Sequence, residues 1–161
     1  MSAILAEVAK KVTPSPDGLG YYPVYVDQAR GGAQFCAWHS YGTINGTPVQ
    51  IAFFFNLDGD PGCNPNADSS VTGHSEGLDA LANVSAHELS EARTDPRNGG
   101  WYDSSGAENG DKCAWAFPSA AYGKVGTDMW LMQGEWSNAR YNLGTGYKNL
   151  SGQPGCIFSN A

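Results

Sequence analysis

Residues 75–93 form the one long stretch of this chain in which apolar residues recur at helical spacing without a proline. Ser75 suits an N-cap, Glu76 lies in the first turn where a carboxylate is favourable, and Asp95-Pro96 follows the end. Elsewhere, 21 glycines and 9 prolines among 161 residues divide the chain into short segments. We therefore predict a single α+β domain in which a small, twisted antiparallel sheet packs on one long central helix.

The strands are predicted by segments rich in aromatic and β-branched residues: 21–27, 34–41, 49–55 and 129–136. Asn45-Gly46, between the second and third of them, is a hairpin signal, so these two strands should pair antiparallel. Residues 1–12 predict a short amphipathic helix, and the prolines and glycines that follow predict a linker up to residue 19. Long loops should connect the other elements.

The net charge and the lengths of the apolar runs argue against a nucleic-acid partner and a membrane partner. Nine Lys and Arg residues against sixteen Asp and Glu residues give a formal net charge of −7. Such a chain has no basic surface to neutralise phosphates, so we expect no nucleic-acid partner. No apolar run approaches the roughly 18 residues of a membrane span, so we also expect no membrane partner. We expect a monomer.

The cysteines predict an oxidising compartment. Cys36, Cys63, Cys113 and Cys156 are even in number and contain no C-x-x-C pair, which favours two disulfides over a zinc knuckle or a redox motif. Three pairings exist, with buried free thiols as the alternative; we favour Cys36 with Cys63 and Cys113 with Cys156, since each would tie an element to a nearby Gly/Pro-rich segment. Glu7 interrupts the first apolar stretch, which is therefore not a secretory signal. We expect a mature, secreted domain of an exported precursor.

Helical projection of residues 75–93 separates three faces. A core-facing stripe is predicted to hold Leu78, Leu81, Ala82, Ser85, Leu89 and Ala92. A polar wedge is predicted to hold Glu76, Asp79, Asn83, Ser90 and Arg93. The third face carries Ala80, Val84, His87 and Glu91, with Glu88 at its margin. A His/Glu pair four residues apart is ordinarily a surface pair worth a few tenths of a kcal/mol, but a helix covered on two sides makes it a candidate site.

The segment His87-Glu88-Leu89-Ser90-Glu91 differs by one residue from H-E-x-x-H, in which two ligands on adjacent turns hold zinc and the intervening glutamate activates water. Glu91 stands in the place of the second histidine, and a carboxylate can also bind zinc. A third ligand is available in Glu108, which follows a turn-rich stretch. Asp111 is then the expected acceptor for the other nitrogen of His87. The pattern predicts Zn²⁺, or another divalent metal, at His87, Glu91 and Glu108, with Glu88 as the catalytic base.

Four segments of the chain resemble microbial relatives of the plant EXORDIUM, or phosphate-induced protein, family. They are residues 35–40 (FCAWHS), 87–96 (HELSEARTDP), 101–115 (WYDSSGAENGDKCAW) and 135–139 (EWSNA), and the likeness covers about residues 20–156. The family is extracellular, and its microbial branch is similar to zincin metallopeptidases of the gluzincin type around this helix. The resemblance implies a minimal zincin-like domain, with His87, Glu91 and Glu108 as ligands and Glu88 as base.

We therefore expect a secreted zinc-dependent hydrolase, with a peptidase that acts on a peptide or protein substrate as the leading form. Such an enzyme needs a donor for the developing oxyanion or for the substrate. The residues available for this role are His39, His74, Tyr102 and Tyr122.

Two other interpretations stay open. The chain could be a non-catalytic extracellular module, stabilised by a metal, that binds cell-wall polysaccharide on the faces of Trp101, Trp115, Trp130 and Trp136. It could also cleave sugars with two carboxylates out of Glu88, Glu91 and Glu108. Separately, the residue 58–68 loop clusters oxygen ligands as calcium loops do, which gives a candidate Ca²⁺ site, although it lacks the spacing of an EF-hand.

Overall fold

The computed structural model describes residues 1–12, 16–118 and 121–158. The helices are α1 (Ser2–Lys11), α2 (Ser69–Thr72), α3 (Glu76–Thr94) and α4 (Asn138–Asn142), with a 3-10 turn at Asp111–Cys113. The strands are β1 (Tyr21–Ala29), β2 (Ala37–Ile44), β3 (Thr47–Asn56), β4 (Tyr122–Val125), β5 (Asp128–Leu131), β6 (Glu135–Trp136), β7 (Tyr147–Lys148) and β8 (Pro154–Ile157). The predicted α+β class is confirmed. The predicted linker falls partly on residues 13–15, which lie outside the described residues.

The main sheet has the strand order β1-β3-β2. The predicted hairpin is confirmed, since β2 and β3 pair antiparallel and Asn45 and Gly46 between them have φ values of 51° and 81°. The prediction of a wholly antiparallel sheet is wrong, because β1 pairs with β3 in parallel. The chain reverses between β1 and β2 and then adds β2 to the opposite edge of β3, so β1 and β3 run in the same direction.

Helix α3 begins where the sequence indicated, because the Ser75 hydroxyl accepts the Leu78 amide at 3.3 Å. The predicted core-facing stripe is only partly confirmed: Ala92 is buried and Leu81 packs against the core, whereas Leu78 and Leu89 are each 43% exposed. The helix instead packs on β2 and β3 through the face of Ala80 and Val84, which lie in one apolar cluster with Ala37, Ala52 and Phe54. These small side chains let the helix lie close to the sheet, which buries the predicted third face and its ionisable groups.

The prediction of a polar wedge on α3 is also only partly confirmed, because two of its residues are buried. Asp79 and Asn83 are 1% and 0% exposed. The Thr72 hydroxyl donates to the Asp79 carboxylate at 2.9 Å, and the backbone amide of Gln133 donates to the side-chain oxygen of Asn83 at 2.8 Å. Residues 132–134 belong to no strand, so the predicted strand over residues 129–136 is two short strands, β5 and β6, with Gln133 between them.

The favoured disulfide pairing is confirmed. Cys36–Cys63 joins the segment before β2 to the loop after β3, and Cys113–Cys156 joins the 3-10 turn to β8. The second bond lies in a small core with Trp136, against which Trp101 and Tyr147 pack. Both therefore fix segments that border α3 and β2. Among the described residues, no helix is long and apolar enough to cross a membrane.

Candidate metal centre

Helix α3, strand β2 and the segment before the 3-10 turn enclose a cavity of about 330 Å³. Its polar wall contains every ionisable residue predicted for the metal site, together with His39, which was predicted only as an oxyanion or substrate contact. These residues are His39, His87, Glu88, Glu91, Glu108 and Asp111. Phe35, Trp38 and Trp115 are among the residues that line the rest. Residues distant in sequence thus converge on one cleft.

The first set of ligand atoms belongs to His87, Glu91 and Asp111, here called the open group. His87 Nε2 lies 3.1 Å from Glu91 Oε1 and 3.5 Å from Asp111 Oδ1. One atom from each residue lies within 4.8 Å of one from each of the others, which is compatible with one ion. The i, i+4 spacing aligns His87 and Glu91, and the Asp111 amide, which donates to Glu91 at 3.0 Å, brings the 3-10 turn to the helix.

The second set belongs to His39, Glu88 and Glu91, here called the buried group. His39 is in β2, opposite Ala52 of β3, and its side chain is 6% exposed. Its Nδ1 lies 3.2 Å from Glu88 Oε2 and 3.5 Å from Glu91 Oε2. One atom from each residue again lies within 4.8 Å of the others. Sequence analysis placed His39 only among oxyanion or substrate contacts, because a lone histidine in a strand carries no spacing signal.

The structure exchanges the positions expected for two acidic residues. Asp111, predicted to accept from the outer nitrogen of His87, faces Nε2 together with Glu91. Glu108, predicted as the third ligand beside His87, has Oε1 3.6 Å from His39 Nε2. The 3-10 turn explains the difference, because the Glu108 amide donates to Asp111 at 3.1 Å and holds the Asp111 carboxylate toward the helix.

The ionisable groups perturb one another strongly. Burial raises the pKa of Glu91, but hydrogen bonds and charges from His39 and His87 outweigh burial and hold the pKa at about 2. Burial lowers the pKa of His39, yet hydrogen bonds to Glu88 and Glu91 raise it to about 10. Burial and the charge of Glu91 raise the pKa of Glu108 to about 7, although His39 opposes the shift. Such separated pKa values are typical of functional sites.

Gln133 is a functional candidate that sequence reasoning missed. Its Nε2 lies 2.8 Å from His87 Nδ1 and 3.0 Å from the Gly110 carbonyl oxygen, and the residue is 5% exposed. It therefore fixes the plane of the imidazole from the side opposite Glu91. A glutamine within one predicted strand has no distinguishing signal in a single sequence.

The other predicted contacts lie apart from this cavity. Tyr102 is 54% exposed and lines a neighbouring depression with His39 and Glu108, which makes it the one tyrosine of the predicted set near the site. His74 stacks on Trp130 with ring centroids 4.0 Å apart, and Tyr122 accepts the Asp68 amide at 2.8 Å. Neither is among the residues that line the cavity.

Two carboxylates of the candidate calcium loop at residues 58–68 already accept hydrogen bonds from other groups of the protein. Asp60 accepts from two nitrogens of Arg30, at 2.6 and 2.8 Å. Asp68 caps α2 by accepting the Ser70 amide. Among the described residues, the groups able to hold a metal do not include this loop.

The predicted tryptophan platform is divided between three places. Trp101 and Trp136 pack around the second disulfide. Trp130 stacks on His74, and Trp115 lines the cavity.

Comparisons of the chain with protein-family models, with curated proteins and with solved structures found no match. The evidence for function is therefore the geometry of the cavity and its two groups of ligand atoms.

Proposed function

We propose that this protein is a secreted, metal-dependent hydrolase, with a peptidase as its leading form, whose metal is bound by His87, Glu91 and Asp111. The observation that carries the proposal is the convergence of these three ligand atoms beside the buried carboxylate of Glu88. A zincin-like architecture and membership of the EXORDIUM-related family are parts of the same proposal. Secretion is supported by the two disulfides, which persist in oxidising compartments.

The donor set fits a divalent metal. One imidazole nitrogen and two carboxylate oxygens are ligands that Zn²⁺ accepts, and a three-residue set resembles catalytic zinc sites, which keep one position for water or substrate. Oxygen-rich sites are less selective, so Mn²⁺ is a natural competitor. Metal binding through His87 Nε2 needs the proton on Nδ1. The Gln133 side chain then has to turn its oxygen toward Nδ1 and give up its hydrogen bond to the Gly110 carbonyl oxygen.

The residues of the chain have distinct roles in this proposal. A divalent metal supplies Lewis acidity toward a carbonyl oxygen and toward water when bound. Glu88 accepts the proton of the attacking water and delivers it to the leaving nitrogen as the carbon–nitrogen bond breaks. His39, 3.2 Å from Glu88 Oε2, holds that carboxylate in place. Phe35 and Trp115 provide apolar wall for a substrate side chain.

Metal analysis and peptide cleavage by the same protein test the proposal. Protein purified without chelator should contain stoichiometric divalent metal and cleave a quenched-fluorescent peptide library, and chelation should stop the cleavage. Glu88→Gln should reduce kcat by at least about 100-fold, as expected for loss of a general base, while the metal of the open group is retained. Glu76→Gln, on the same helix outside the cavity, is the control and should leave both unchanged.

Two results would overturn the proposal. One is the lack of a stoichiometric metal in protein refolded with Zn²⁺ or Mn²⁺. The other is full peptide cleavage by Glu88→Gln. A protein that binds metal, cuts no peptide and is retained by a polysaccharide column would instead support the metal-stabilised binding module.

A further inference from the structure

Each oxygen of the Glu91 carboxylate lies close to a different histidine. Its Oε1 lies 3.1 Å from His87 Nε2, and its Oε2 lies 3.5 Å from His39 Nδ1. The two ligand groups of the cavity therefore share one residue but use different oxygens of it. A carboxylate with each oxygen directed to a separate set of ligands is suited to bridge two metal ions, which in two-metal hydrolases lie about 3.5–4 Å apart.

The buried group offers a complete set of ligands for a second ion. His39, Glu88 and Glu91 present one nitrogen and two carboxylate oxygens that lie within 4.8 Å of one another. Their side chains are 6%, 7% and 4% exposed. The relative position of β2 and α3, fixed by the packing of Ala80 and Val84 on the sheet, sets this geometry, so the group is built on rigid elements.

The cavity also gathers negative charge that metal ions can balance. The carboxylates of Glu88, Glu91, Glu108 and Asp111 line it together, and within the described residues their ion-pair partners within 4.0 Å are histidines rather than Lys or Arg. The nearby Lys112 is already 2.7 Å from Asp103. Buried carboxylates require compensating charge. In the metal-free protein protonated His39 and His87 supply part of this charge, and a metal ion that binds the neutral imidazoles takes their place.

Glu108 supplies an independent observation on the buried side. Its Oε1 is buried and has no hydrogen-bond partner among residues 1–12, 16–118 and 121–158, yet it lies 3.6 Å from His39 Nε2. A buried carboxylate oxygen in that condition is costly unless positive charge lies close to it. In the metal-free protein the positive charge near this oxygen is protonated His39. When His39 is neutral and binds metal, an ion on the His39 side of the cavity would take over that role.

We propose that His39, Glu88 and Glu91 bind a second divalent metal ion, bridged by Glu91 to the ion of the open group. The inference rests on the proposed function for that first ion and changes one assignment within it. Glu88 becomes a ligand when the second ion is bound, and Glu108 is then the one carboxylate among the residues lining the cavity that is left to accept the proton of the attacking water. Zn²⁺ and Mn²⁺ both fit the mixed nitrogen and oxygen ligands.

The number of bound metal ions tests the inference in the full chain. Metal-free protein is loaded with Zn²⁺, passed through a desalting column and analysed for zinc per chain. We expect two ions in the unmodified protein, one in His39→Gln, one in Asp111→Asn and none in Glu91→Gln. A spectroscopic measurement gives a second readout: two Mn²⁺ ions bridged by a carboxylate should show exchange coupling in the electron paramagnetic resonance spectrum, which either single-site variant should lose.

The outcomes separate this inference from the proposed function. One ion in the unmodified protein, lost in Asp111→Asn and kept in His39→Gln, would overturn the second site and leave the open group in place. No ion at all would overturn both. If His39→Gln does not fold, Glu88→Gln decides instead: loss of one ion supports its role as a ligand, whereas retention of every ion contradicts it.

Discussion

The open group and the buried group share Glu91 but are assembled in different ways. The open group comes from one turn of α3 and the 3-10 turn that follows it, and the side chain of Asp111 is 47% exposed. The buried group joins residues 49 positions apart, His39 and Glu88, across the packing of a strand on a helix. The open group is therefore accessible from solvent and local in sequence, whereas the buried group depends on the whole fold.

This contrast predicts unequal behaviour toward metal. An ion in the open group can exchange with solvent past Asp111, whereas an ion in the buried group is enclosed by side chains that are less than one-tenth exposed. A chelator should therefore remove the first ion before the second.

Glu91→Gln should have the largest effect because both groups use this carboxylate. Loss of even an outer hydrogen-bond partner weakens metal sites by about 10- to 100-fold, so loss of a shared ligand should exceed about 100-fold. Isothermal titration with Zn²⁺ measures the change. Glu76→Gln is the control, and tight binding by Glu91→Gln would show that neither group is the metal site.

Gln133→Leu should weaken the open group by about 10- to 100-fold, because it removes the polar contact that orients His87 at its Nδ1. The buried group should keep its affinity, since the Gln133 side chain bonds to His87, Gly110 and the Trp115 amide, none of which belongs to that group. Competition with a chromophoric chelator resolves the two affinities. An equal loss at both groups would mean that Gln133 acts through general stability.

Gly110→Ala should have a smaller effect, of about a few-fold, on the open group. A Cβ at this position would lie 3.0 Å from both Glu91 Oε1 and His87 Nδ1, so these side chains would have to move by a few tenths of an ångström. Gly99→Ala is a matched control, because the nearest atom to its Cβ is a carbonyl oxygen at 4.0 Å. Unchanged zinc affinity in Gly110→Ala would contradict the assigned geometry.

The pH dependence of the metal-free protein should be the most modest effect. The carboxylates of Glu88 and Glu91 raise the pKa of His39 to about 10, above its ordinary value of 6.5. Protonated His39 therefore stabilises the folded state fully below pH 6.5, and this stabilisation is lost as the pH rises through about 10. In chelator, the melting temperature should fall between pH 7 and pH 10, and less steeply in His39→Gln.

Added metal should reverse that trend. Metal ligation requires neutral imidazole, so the increase in melting temperature caused by Zn²⁺ should grow as protons leave His39 and His87. Identical melting profiles for the unmodified protein and His39→Gln in chelator would show that His39 does not interact with the carboxylates.

Local sequence features predicted local structure well. The Ser75 cap, the Asn45-Gly46 hairpin and both disulfides are where the sequence indicated. Helical spacing also placed His87 and Glu91 on one face. These features depend on neighbouring residues or on short returns of the chain, for which spacing carries the physical information.

Tertiary packing determined what the sequence could not predict. Helical periodicity identified faces of α3 but could not tell which one the sheet would cover. The sheet covers the small residues Ala80 and Val84, and the larger Leu78 and Leu89 stay exposed. The same limit hid the role of His39, because its partners lie on another element. The buried group follows from that packing alone.

Anomalous diffraction at the zinc edge, from crystals of protein purified without chelator and supplied with Zn²⁺, is the most direct test. We predict an anomalous-difference peak about 2.0–2.2 Å from His87 Nε2 and from carboxylate oxygens of Glu91 and Asp111. A second peak should lie beside His39 Nδ1 and Glu88. A difference map without a peak within ligand distance of His87 and Glu91 would contradict the central claim.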